Sequence, residues 1–119
     1  MKRTSLRRKT WMRSRRRTPR RATRVRNAAY MAWIRTQDCA AEGLSDCFGD
    51  IEADHAGRRG YGQKSDDTTC IPLCLRHHEQ RGAFSGPFRY WTQDHMRRWL
   101  SATVQWFNHA YAQIPGGTP

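Results

Sequence analysis

Two residue pairs constrain this chain more than any other feature: Cys74-x2-His77, and upstream of it Cys39-x7-Cys47, with 26 residues between Cys47 and Cys74. The chain has 119 residues, of which 37% are hydrophobic. A domain so small and so poor in aliphatic side chains often needs a staple. Disulfides would serve in a secreted protein, but the basic N-terminus is not followed by an apolar h-region, so no signal peptide is expected. Reduced thiols are then the better expectation, and reduced Cys with nearby His suggests zinc. The predicted structural Zn²⁺ ligands are Cys39, Cys47, Cys74 and His77, the compact second pair opening a helix and closing a tetrahedral site. Cys70 could replace one of them. It falls in a predicted strand beside Ile71, where a buried Cys acts as a small apolar side chain.

Charge divides the chain in two. Residues 1–27 hold 13 of the 22 Lys and Arg and no acid, which leaves nine basic residues against all ten acids in the remainder. Residues 1–26 therefore read as a disordered arm, with too little apolar surface to offset its ordering entropy. Arginines such as Arg15, Arg16 and Arg17 suit phosphate contact, which is salt-sensitive and blind to sequence, and Trp11 can stack on an unpaired base. The plainer readings of the arm are a solubilising tail or a transit peptide. No apolar run approaches the ~18–20 residues of a bilayer span, so no membrane association is expected. No internal period suggests a repeat fold.

From residue 27 the pattern predicts an α+β domain over 27–113, with a tail at 114–119. Asn27 is a candidate N-cap for a short helix that offers Tyr30, Trp33 and Ile34 to a core. Residues 38–49 read as a knuckle-like loop, Ile51 to His55 as a strand, 57–67 as a Gly-rich loop, and Thr69 to Leu73 as a second strand with Pro72 at an edge. Cys74 to Gln80 suits a helix ended by Gly82. Thr92 caps a C-terminal helix over 92–112, on which Met96, Trp99, Leu100, Thr103, Phe107 and Ala110 share a core-facing stripe.

A second constellation overlaps the zinc set. Asp54-His55 closes the first strand, and His77-His78 lies on the helix after the second. Adjacent helical residues diverge by about 100°, so with His77 on zinc, His78 can face the hairpin. There it would meet Asp54 and hold a second, catalytic cation with open positions for water and a phosphate oxygen. His55 beside it would take a proton from the attacking water, its pKa lying near neutrality. Singly, these residues read as a loop acid, an exposed strand end and a helix cation; together, and after the Cys-rich lead-in, they point to a site.

The run EADHAGRRGYGQKSDDTTCIPLCLRHHEQRG resembles the core of an HNH nuclease, the ββα-metal superfamily, and most of all its small phage and prophage members with a basic arm and a PLCxxHH helix. The resemblance spans roughly residues 27–82. It implies a zinc-stapled ββα-metal core with flanking helices. By match, His55 is the general base, Asp54 and His78 are the metal ligands, and Cys74 and His77 form the second half of the zinc knuckle. Thr69 stands where the family has its central Asn, which orients the base. Asp67, matching the acid after the Gly/Lys loop of closer relatives, is the candidate substitute.

The implied reaction is hydrolysis of DNA phosphodiesters with Mg²⁺ or Mn²⁺. Arg58, Arg59 and Lys64 would hold flanking phosphates, and the backbone at Gly57, Gly60 and Gly62 could approach closely. Such contacts carry little sequence information, so weak sequence preference or recognition of DNA shape is expected, and the resemblance implies duplex or branched DNA as the partner. A cytoplasmic location in a bacterial host, phage encoding, and work beside phage recombination or packaging proteins follow from the same resemblance. Two other readings stay open: a zinc-stapled DNA-binding module without catalysis, which Thr69 favours, and an RNA-binding basic protein, which leaves Asp54, His55 and His78 unexplained.

Overall fold

The computed structural model describes residues 25–57 and 66–117. Arg15, Arg16 and Arg17 of the arm, and Arg58, Arg59 and Lys64 of the Gly-rich loop, lie outside the described residues. Among the described residues the elements are α1 (Ala28–Ile34), β1 (Ile51–His55), β2 (Cys70–Cys74), α2 (Leu75–Ala83) and α3 (Gln93–Ala112), with 3₁₀ turns at Asp67–Thr69 and Gly86–Phe88. The α+β expectation is met. No helix among them is long and apolar enough to cross a membrane.

α1 begins as expected: Asn27 accepts the Tyr30 N–H on its side-chain oxygen at 3.0 Å. The described residues include Val25 and Arg26, the last two of the predicted arm. Val25 N–H donates to Asp66 Oδ1 at 2.6 Å, and Asp67 N–H donates back to the Val25 carbonyl at 2.9 Å.

β1 and β2 form an antiparallel hairpin in the register Ile51↔Cys74, Ala53↔Pro72, His55↔Cys70. β1 has the predicted bounds. β2 starts and ends one residue later than predicted, because Thr69 belongs to the preceding turn, where its N–H and its hydroxyl both donate to the Asp66 carbonyl. Pro72 sits in mid-strand. Its carbonyl accepts from Ala40 N–H at 2.8 Å, on the edge away from β1, so its missing N–H costs the ladder nothing. The knuckle thus covers the edge that Pro72 leaves without a donor.

All five residues of β2 are buried. Ile71, Leu73 and Cys74 join Cys39, Ala41, Phe88, Met96 and Leu100 in one core, while Cys70 joins Tyr30, Ile34, Phe107 and Tyr111 in a second. Cys70 therefore packs as an apolar side chain, as expected. Tyr30 meets the Tyr111 ring edge-on at 5.0 Å, which ties α1 to the end of α3.

The end of α2 differs from the sequence reading. Gly82 lies inside the helix, and the stop is Phe84, left-handed at φ 49, with its N–H on the Arg81 carbonyl and Ser85 N–H on that of Gln80. Those bonds satisfy carbonyls the helix leaves open, and Phe84 packs on the first core. The glycine the turn requires is Gly86 (φ 57), where a Cβ would lie 2.5 Å from the Gln80 carboxamide. α3 is capped by Thr92, which accepts from His95 N–H at 3.0 Å. Met96, Leu100 and Phe107 of the predicted stripe are buried, joined by Tyr111. Trp99, Thr103 and Ala110 are half-buried. Of the predicted tail, residues up to 117 are described, and Gly117 N–H turns back onto the Ile114 carbonyl at 2.8 Å.

Candidate functional site

The four predicted zinc ligands converge. One donor atom from each of Cys39, Cys47, Cys74 and His77 lies within 4.8 Å of the other three. His77 Nδ1 is 3.3 Å from Cys39 Sγ, 3.6 Å from Cys47 Sγ and 3.1 Å from Cys74 Sγ. Ligands at the usual Zn–S and Zn–N lengths sit roughly 3.5 Å apart around a tetrahedral ion, so these separations suit zinc. The local fold explains the convergence. Cys74 is both the last residue of β2 and the N-cap of α2, its sulfur accepting from His77 N–H at 3.4 Å. The knuckle is laid against β2 by the Ala40–Pro72 bond, and Cys74 N–H donates to Cys39 Sγ at 3.4 Å. Cys47 comes from the exposed stretch before β1.

Electrostatics favour an ion here. Burial pushes the Cys39 thiol up, and burial together with the Cys39 and Cys74 sulfurs pushes Cys47 up to about 12. Burial also raises Cys74, but the N–H donors of His77 and Phe48 outweigh it and its net direction is down. Burial, with the nearby charge of Arg76, holds His77 below the ordinary histidine value. Cys39 and Cys47 thus resist ionisation while Cys74 is eased into it, and a divalent cation bound among the three sulfurs would favour the thiolate at each. Sequence reading missed Ser45. Its Oγ is 2.8 Å from His77 Nε2, an acceptor for Nε2–H in the tautomer that leaves Nδ1 free to ligate. Its position between Cys39 and Cys47 was the available signal.

The second constellation separates into two pairs. Alternation along β1 puts Glu52 and Asp54 on the face toward α2, while His55, the last residue of the strand, meets Asp67. Asp54 is 1% exposed; its Oδ1 lies 3.4 Å from His78 Nε2, and Glu52 Oε2 lies 3.2 Å from His78 Nδ1. Arg81, one turn beyond His78, donates to both Asp54 oxygens, Nη2 to Oδ1 at 2.9 Å and Nε to Oδ2. His55 Nε2 is 2.9 Å from Asp67 Oδ1, and Asp67 Oδ2 accepts Asn27 N–H at 2.8 Å. Asp67 thus fastens His55, the start of α1 and the hairpin mouth together. Thr69, the residue compared above with the central Asn of HNH nucleases, has its hydroxyl on the Asp66 carbonyl. The sequence reading singled out neither Arg81 nor Glu52. Their signal was weak: a basic residue at i+3 from His78, and an acid two before Asp54 on the same strand face.

Residues 10–112 match the model of a family described as a protein of unknown function, DUF968. No curated protein and no solved structure matches the chain.

Proposed function

The chain belongs to the DUF968 family of unknown function, and from its own residues we propose that it is a metal-dependent HNH endonuclease hydrolysing DNA phosphodiester bonds. The observation that carries the reading is the placement of Asp54 beside His78 (3.4 Å) and of His55 on Asp67 (2.9 Å), within a hairpin-and-helix unit that also holds a Cys3His group. In this reading Zn²⁺ on Cys39, Cys47, Cys74 and His77 is structural. Asp54 and His78 would hold Mg²⁺ or Mn²⁺, which when bound supplies positive charge for the phosphorane and the leaving 3′ oxygen. His55 accepts a proton from the attacking water. Asp67 orients its ring, the part Thr69 does not play, and stabilises the imidazolium that results. Arg58, Arg59 and Lys64, with Arg15, Arg16 and Arg17 of the arm, grip phosphates on either side. The expected partner is duplex or branched DNA, in a cytoplasmic setting beside phage recombination or packaging proteins.

A non-catalytic zinc-stabilised DNA-binding module is the second reading. It is favoured by one observation: both Asp54 oxygens already have a partner in Arg81. A substrate panel separates the two. Full-length protein with Mg²⁺ or Mn²⁺ should cleave duplex or branched DNA and spare RNA. Salt-sensitive binding with every substrate left intact would establish the module instead.

A further inference from the structure

The closest contacts to the acid proposed to bind the catalytic cation come from a residue the proposed mechanism does not use. Arg81 meets Asp54 fork to fork, Nη2 on Oδ1 at 2.9 Å and Nε on Oδ2. Both side chains are largely sealed from water, Asp54 at 1% and Arg81 at 16% exposure. A fork-to-fork pair holds both carboxylate oxygens through two parallel bonds from two nitrogens, a geometry an ammonium lacks. Oδ1 is at the same time the atom that faces His78 Nε2, at 3.4 Å. The oxygen that points to the second cation ligand is therefore the one Arg81 also holds. A divalent ion placed between Asp54 and His78 would sit within a few ångströms of a permanently charged guanidinium, and on the Asp54 side, where the carboxylate is 1% exposed, water screens the repulsion little.

We infer that Arg81 is a positioning residue that competes with the divalent cation for Asp54: it neutralises the buried carboxylate in the metal-free chain, and it must release at least Oδ1 for an ion to bind. The inference rests on the cation-binding half of the function proposed above. Replacing a pair that served only the fold would leave cation affinity alone. In the competing arrangement, removal of the guanidinium leaves a buried carboxylate without a counter-charge, and the divalent ion becomes that counter-charge.

The test is a Mn²⁺ titration of the zinc-loaded full-length protein without DNA, followed by the electron paramagnetic resonance signal of free Mn²⁺ and by the rise in Tm that Mn²⁺ produces. Arg81→Met should bind Mn²⁺ at least about tenfold more tightly than the parent, with a larger Mn²⁺-induced rise in Tm. Arg81→Lys, which keeps the charge and loses the fork, should fall between them. Adding Asp54→Asn to Arg81→Met should abolish the gain. Unchanged or weaker Mn²⁺ binding in Arg81→Met overturns the inference, as does absence of Mn²⁺ binding from parent and variant alike. Should Arg81→Met fail to fold, Arg81→Lys decides: tighter binding than the parent supports competition, equal or weaker binding refutes it. Tightened Mn²⁺ binding in a protein that cleaves no DNA would leave Arg81 as a competitor and remove the nuclease reading. His55-dependent cleavage with weakened Mn²⁺ binding in the variant would do the reverse.

Discussion

Asp67 holds His55 at 2.9 Å, oxygen to Nε2, with one carboxylate oxygen, while its other oxygen is occupied by the Asn27 N–H. This one nearly buried acid therefore couples the orientation of the proposed base to the start of α1. Asp67→Ala should cut the rate of plasmid nicking by about 10²-fold or more and lower stability by about 1–3 kcal/mol, because the Asn27 N–H loses its acceptor. Asp67→Asn keeps an acceptor for Asn27, so it should recover most of the stability and little of the rate. Initial nicking rates beside thermal melts check both. A rate that recovers in step with Tm would mean that Asp67 serves only the fold.

Zinc content should be one ion per chain, and its removal should unfold the hairpin-and-helix unit, since Cys39, Cys74 and His77 are also core residues. A chelator should therefore abolish cooperative melting, with recovery on Zn²⁺ addition. Ser45→Ala removes the partner of His77 Nε2 and should weaken Zn²⁺ affinity by about 10–100-fold while the zinc-saturated chain keeps its circular dichroism. Competition against a chromophoric chelator measures the shift.

The pH response follows from the directions of the ligand pKa values. His77 is held below its ordinary value by burial, so the fold favours its neutral form. The stability this gives is present above the unfolded histidine value of about 6.5 and is lost as pH falls through the folded value. Cys39 and Cys47 are raised in the metal-free chain, so Zn²⁺ uptake at pH 7 must expel their protons. Calorimetry in buffers of different ionisation enthalpy should show proton release on Zn²⁺ binding, and affinity should rise with pH. Binding without proton release would mean that those thiols are not ligands.

Two glycines at the end of α2 should respond oppositely to alanine. Gly82 is helical and a Cβ there meets nothing within 4 Å, so Gly82→Ala should stabilise by about 0.5–1 kcal/mol. Gly86 has φ 57, and a Cβ there would lie 2.5 Å from the Gln80 carboxamide. Gly86→Ala should destabilise by about 1–3 kcal/mol. Chemical denaturation of the two variants settles the sign of each.

Local chemistry made part of this arrangement readable in the sequence. The caps Asn27 and Thr92, the bounds of β1, the Cys74–His77 half of the Cys3His group and the apolar character of Cys70 all follow from short-range patterns: a polar residue before an apolar periodic run, alternation, and Cys and His at helix-opening spacing. What escaped depends on contacts between distant segments. Gly82 looked like a helix stop because glycine commonly is one, yet the core contact of Phe84 and the close approach of Gln80 to Gly86 move the stop onward. Thr69 looked like a strand residue until the Asp66 turn claimed it. Arg81, Glu52 and Ser45 were hidden for the same reason, each being defined by a partner 26 to 32 positions away. Asp67 was legible only through the family resemblance, and its bond to His55 joins residues separated by a loop whose composition says nothing about their distance.

The most direct measurement is conversion of supercoiled plasmid by the full-length protein with Mg²⁺ or Mn²⁺, parent against His55→Ala, with zinc content and Tm recorded for both. The account predicts nicked or linear product from the parent and at least about a 10²-fold loss in the variant, at equal zinc and with the variant's Tm still well above the assay temperature. A variant that cuts as fast as the parent, or a parent that binds the plasmid and leaves it supercoiled with every divalent ion, would contradict it.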